Sequence, residues 1–168
     1  RWYVELDLRK TGGVSGGPAR ALHAHAVAYV VLAVLLATRM VRFWSNFAAD
    51  VTNHAKGFAF LTTVAATNVL ASASIVIHGW WNLAWALWWA SLVLWAAFVY
   101  TTLIAVVTDS DKPGLQGGIN GSWFLLTVST QSIAVVAGLF LTRTDSDALA
   151  FAAIAAFTLG VVLYLIVM

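Results

Sequence analysis

The chain has 168 residues, 61% hydrophobic and 10% charged, with nine Trp, two Pro, no Cys and a formal net charge of +2. An ordinary soluble domain is about 45–50% apolar and about 25% charged, so too little polar surface exists here to cover the apolar residues in water. This excludes a soluble enzyme, a disordered chain and a disulfide-stapled module, removes thiolate metal sites, and leaves no basic patch for nucleic acid.

The composition is that of an integral membrane protein. Crossing a hydrocarbon core of about 30 Å takes about 20 apolar residues of helix. Residues 1–20 are polar and glycine-rich and read as an extramembrane segment, leaving 21–168 as the transmembrane domain. The spans are predicted at Ala21–Ala37, Gly57–Ile77, Trp80–Val107, Ile119–Leu141 and Ala148–Val167, none containing Asp, Glu, Lys or Arg. Transmembrane β-strands would be about ten residues long with alternating polarity, and no such pattern occurs. The fold class is therefore an all-α membrane bundle, with each backbone group satisfied inside its own helix.

Between the spans, Thr38–Lys56 carries Arg39, Arg42, Asp50 and Lys56 and reads as an interfacial connection. His78-Gly79 is a tight turn, and Asp109–Gly114 is a turn of helix-stopping residues. Thr142–Asp147 is a polar link in which Asp145 or Ser146 caps the fifth span. Basic residues divide five (Arg1, Arg9, Lys10, Arg20, Arg143) against four (Arg39, Arg42, Lys56, Lys112) between the two sides, which leaves orientation open. The chain opens at Arg1 and stops inside an apolar run at Val167-Met168, so it reads as a fragment of a longer polypeptide.

Uncharged polar residues concentrate on two spans. The second carries Thr62, Thr63, Thr67, Asn68, Ser72 and Ser74, and the fourth carries Asn120, Ser122, Thr127, Ser129, Thr130, Gln131 and Ser132. The third is sparser and the fifth holds only Thr158, so two polar helices alternate with greasier, lipid-like ones. Sliding the chain by 63 residues superposes Phe60 on Trp123, Thr67 on Thr130, Asn68 on Gln131 and Ala71 on Ala134. Each of these spans also has an Asn near its start, Asn53 and Asn120, and such a helix-hairpin repeat is common in transporters and channels.

The candidate pore-lining residues are Phe60, Thr63, Thr67, Asn68, Trp123, Phe124, Thr127, Thr130 and Gln131. Hydroxyl and amide groups replace part of an anion's hydration shell, and a ring in a polar lumen gates by dewetting. Taken singly, each residue is explained by helix packing and interhelical hydrogen bonding; the two helices together point to a substrate path. His25 and His78 fall on one membrane face, which permits a haem or metal between them, but their places at helix ends favour an interfacial role. No catalytic motif, paired carboxylate, metal site or cofactor site is expected. All seven acidic residues lie outside the spans, which argues against a proton-coupled pump and suits anions.

Gly117–Ser132 resembles the fifth-helix signature of the tellurite-resistance/dicarboxylate transporter family, which includes slow-type plant anion channels and malate permeases. Asn53-His54-Ala55-Lys56-Gly57-Phe58-Ala59-Phe60 is similar to the entry of its third helix, with Ala55 where relatives have Pro. The resemblance covers Ala21–Met168 and implies the second to sixth of ten helices, set as helical hairpins around a central pore. It implies transport of a small inorganic anion or a dicarboxylate, a multi-pass cell (plasma or inner) membrane protein, a homotrimer, and a cytoplasmic Thr38–Lys56. The alternative classes are a non-catalytic structural subunit of a larger membrane complex and a haem-bearing redox protein.

Overall fold

The computed structural model describes residues 17–53, 56–108 and 121–168, and every element among them is helical. The α-helices are α1 (Gly17–Arg42), α2 (Trp44–Val51), α3 (Leu61–Ala73), α4 (Trp81–Thr108), α5 (Phe124–Leu141) and α6 (Asp147–Val167). A 3-10 turn, Gly57–Phe60, leads into α3, another, Gly121–Trp123, leads into α5, and a π-turn, Ser74–His78, closes α3. Five stretches are long and apolar enough to cross a membrane: Leu22–Arg42, Gly57–His78, Trp81–Thr108, Gly121–Leu141 and Asp147–Val167. The polar segment before Gly17, His54, Ala55, and residues 109–120 with their turn and Asn120 lie outside the described residues.

The region read as an interfacial connection is itself mostly helical. No breaker follows Ala37, so α1 runs on to Arg42 and stops where Phe43 leaves helical geometry (φ −131°, ψ 46°). The short α2 then buries Phe47 and Val51 and exposes Trp44, Ser45 and Asn46, the pattern of a helix lying at a membrane boundary. Asp50 fastens it, accepting from Arg39 at the end of α1 and, at 3.1 Å, from Lys56 beyond α2. Gly57 permits the close pass that follows: a Cβ there would meet the Val51 carbonyl and lie 2.8 Å from Thr102 Cγ2.

At the opposite end, the π-turn delivers the chain to Gly79, whose left-handed φ of 67° suits a residue without a Cβ. Gly79 N donates to Ile75 O at 2.9 Å and Trp80 N to Ser74 O at 3.1 Å, which satisfies carbonyls the helix end leaves open. The link into α6 resolves in favour of Ser146, whose Oγ accepts from Leu149 N at 3.4 Å.

Two antiparallel hairpins, α3–α4 and α5–α6, meet along α3 and α5, and α1 lies against α3. Within the described chain 50% and 39% of the most apolar stretches of the α5 and α3 spans are buried, against 17% for α4, 11% for α6 and none for α1, where only Leu22 at the start of the span is buried. The two polar spans are thus the inner pair. Apolar packing supplies most of the core: Leu61, Val64 and Ala71 of the α3 span meet Trp88 of α4 and Ile133, Val136, Ala137 and Phe140 of α5. Trp85 lies parallel to Phe140 with ring centroids 4.0 Å apart.

Candidate functional site

The burial pattern corrects the register of the internal repeat. Val64, Thr67, Asn68, Ala71, Ser74 and Ile75 are buried, and so are the residues 62 positions later, Leu126, Ser129, Thr130, Ile133, Val136 and Ala137. Exposed positions follow the same offset: Ala59, Thr62, Ala66 and Val76 match Gly121, Phe124, Val128 and Gly138. A shift of 63 aligns identical residue types, but it sets buried Leu61 on exposed Phe124 and exposed Ala66 on buried Ser129. Helix faces are set by three-dimensional periodicity, so Thr67 pairs with Ser129 and Asn68 with Thr130.

Three of the candidate residues belong to the core between helices. Asn68 Nδ2 donates to Ser132 Oγ at 3.0 Å, and Asn68 Oδ1 accepts from Ser91 Oγ at 2.9 Å, so one amide joins α3, α5 and α4. Thr130 Oγ1 donates to Leu126 O at 2.7 Å and accepts from Trp95 Nε1 at 2.9 Å. Thr67 Oγ1 donates to Thr63 O at 2.7 Å, which leaves the Tyr29 hydroxyl to donate to it at 2.8 Å and tie α1 to α3. All three are buried. Their chemistry is interhelical bonding, the common use of such residues in membranes.

The aromatic candidates divide. Phe60 is wedged between Phe47 of α2 and Phe98 of α4, with centroids 5.3 and 5.7 Å away. The ring that meets Trp123 is Phe58, at 4.4 Å, and the 62-residue register sets Phe60 on Ser122, so Phe60 and Trp123 are not equivalent positions of the repeat. Phe124 is exposed and lies 6.1 Å from Tyr164 of α6.

Gln131 reaches across to α6, where its Nε2 donates to Phe157 O at 3.1 Å. Gly160 makes room for it: a Cβ there would lie 2.8 Å from Gln131 Cδ. Thr127 is buried, and its Oγ1 has no hydrogen-bond partner among the described residues. Thr63 is half-buried and lines a groove of about 470 Å³ between α1 and α3, with Thr62, Ala66 and Val69 beside it. His25 opens onto that groove, whereas the ring near His78 is His23, at 6.0 Å. The His25–His78 pairing that a haem or metal would use is therefore not the one formed, and among the described residues no three His, Asp or Glu side chains cluster.

Each inner helix consequently carries one stripe that the described chain leaves uncovered: Ala59, Thr62, Ala66 and Val69 on the α3 side, and Phe124, Val128 and Val135 on α5. The stripes hold no charge. Ala66, Val69 and Val128 escape a reading by polar content because they are aliphatic; their signal is the spacing of three and four that they share with Thr62 and Phe124.

A family model described as SLAC1, voltage-dependent anion channel, matches residues 21–168. No match is found among curated proteins or among solved structures.

Proposed function

Because the chain belongs to the voltage-dependent anion channel family, we propose that the anions it carries pass along the uncovered stripes of α3 and α5. Anion transport by a channel or transporter follows from the family; the path and the cargo are our reading. The observation that carries it is the matched pair of exposed, uncharged stripes on the two most buried spans. An uncovered, uncharged stripe on each of the two most buried spans is the face we assign to the lumen. Such a lumen lacks carboxylates, which would repel an anion strongly in a low-dielectric path. The Thr62 hydroxyl and the polar atoms of Thr63 beside it replace part of the hydration shell, while Phe124 narrows the way.

The cargo is a small inorganic anion or a dicarboxylate, and no catalytic role is assigned. The exposed apolar faces of α4 and α6 (Trp89, Val93, Phe151 and Ile154 among them) contact lipid or sister subunits of a homotrimer. The membrane is the plasma or inner membrane of the cell, with the α2 side cytoplasmic.

Single cysteines at Ala66, Val128 and Ile154 test the path in the protein reconstituted in liposomes. An anionic thiol reagent is expected to modify Ala66→Cys and Val128→Cys and to depress efflux of chloride, nitrate or malate, while Ile154→Cys stays unmodified. Modification of all three at one rate refutes the path. Phe124→Ala is expected to raise flux per folded molecule; Phe60→Ala is expected to lower folded yield without that gain.

A further inference from the structure

We propose that the pocket between the α3–α4 turn and the end of α5 holds the phosphate of an anionic phospholipid. Gly79, Trp80, Trp81, Asn82, Leu83 and Arg143 line an open pocket of about 470 Å³. It sits where both hairpins reverse, at one end of the spans. Trp80 is 51% exposed, and Trp81 is half-buried with its ring 6.4 Å from Phe140. Paired indoles at this level are the anchors of a membrane–water interface.

Arg143 supplies the charge. Its guanidinium carbon lies 5.0 Å from the Trp81 ring centroid, which holds a long side chain in one orientation. Among the described residues no carboxylate pairs with it, although Asp145 and Asp147 follow closely in sequence. A planar guanidinium fixed by stacking presents a fork of N–H donors that matches two phosphate oxygens. Asn82 adds a side-chain amide at the rim.

The pocket also selects among lipids. None of its lining residues is acidic. The Trp81 face that would receive a choline ammonium is covered by the guanidinium. A headgroup with net negative charge is therefore favoured over a zwitterionic one, and the indoles place the site where a phosphate tethered to acyl chains outcompetes a free one.

Native mass spectrometry of the protein released from vesicles of equal phosphatidylglycerol and phosphatidylcholine tests this. The protein is expected to retain phosphatidylglycerol selectively. R143Q is expected to lower phosphatidylglycerol affinity about five-fold, the effect of one basic residue at an anionic surface, and R42Q, at the other end of the spans, to leave it unchanged. N82D places a negative charge in the pocket without touching Arg143 and is expected to give a similar loss, so the test stands even if R143Q fails to fold. Retention of phosphatidylcholine to the same extent, full retention by R143Q or N82D, or displacement of the lipid by excess inorganic phosphate overturns the proposal.

Discussion

Asn68 uses both ends of one amide to join three helices, donating to Ser132 and accepting from Ser91. Both serines also have backbone acceptors, Ser132 through Ser129 O and Ser91 through Trp88 O, so removing the amide strands neither hydroxyl. Asn68→Ala should therefore cost about 1 kcal/mol, within the range of interhelical hydrogen bonds in membranes, and leave flux per folded molecule unchanged. Unfolding in mixed micelles measures the first quantity and liposome efflux the second. Gln131 and Gly160 make a sharper test, because the glycine exists where the amide lies. Gly160→Val should lose about 1–3 kcal/mol by overpacking, and Gln131→Ala in the same chain should recover much of it. A coupling energy of about 1 kcal/mol or more in the double-mutant cycle is the expected result; additive losses show that the side chain does not fill that space.

At the scale of elements, the two ends of the bundle are built by different means. The α1–α2 end depends on charge: Asp50 holds Arg39 and Lys56 while α2 keeps Phe47 and Val51 against the spans. Both basic side chains are largely exposed, so the ion pairs are screened. Asp50→Asn should cost less than about 1 kcal/mol, with the loss shrinking as salt is added to the melting assay. The other end depends on backbone geometry. Gly79 at φ 67° ends the π-turn and lets α4 start immediately, so the α3–α4 hairpin closes with almost no loop. Gly79→Ala should cost about 1–2 kcal/mol, and Gly79→Asn less, because Asn tolerates the left-handed region. Equal melting temperatures for the three proteins would contradict that account.

For the whole molecule, the hairpin order fixes which ends lie together. Trp81 of α4 approaches Phe140 and Arg143 at the end of α5, so the far end of α4 at Thr108 lies on the opposite side from Thr144. Reporter fusions after Thr108 and after Thr144 should report opposite sides of the membrane, with the fusion after Thr108 cytoplasmic. Two reports from one side would contradict the five-span topology. The layering has an energetic reason as well. Lipid tails are as apolar as Leu, so helices in a bilayer sort by packing and polar contacts rather than by hydrophobicity. The helices rich in Ser, Thr, Asn and Gln accordingly become the inner pair, α3 and α5, while aliphatic α6 leaves Phe151, Ile154 and Leu165 uncovered.

Sequence alone determined the class, the five spans and the layering, because each rests on a property that adds along the chain. Apolar length decides whether a helix crosses a bilayer, and polar content decides which helices seek protein rather than lipid. Tertiary structure decided which side of each inner helix meets which neighbour. Thr67, Asn68 and Thr130 look pore-lining by chemistry, but their partners Tyr29, Ser91, Ser132 and Trp95 sit on other helices and take up those groups. The offset of 63 matched residue types, whereas packing obeys 62, because a repeat conserves the shape of its interfaces and not the identity of the side chains. The helical course of 38–42, read as a connection, followed from the same limit: charge marks a membrane boundary, and helical hydrogen bonding does not stop there.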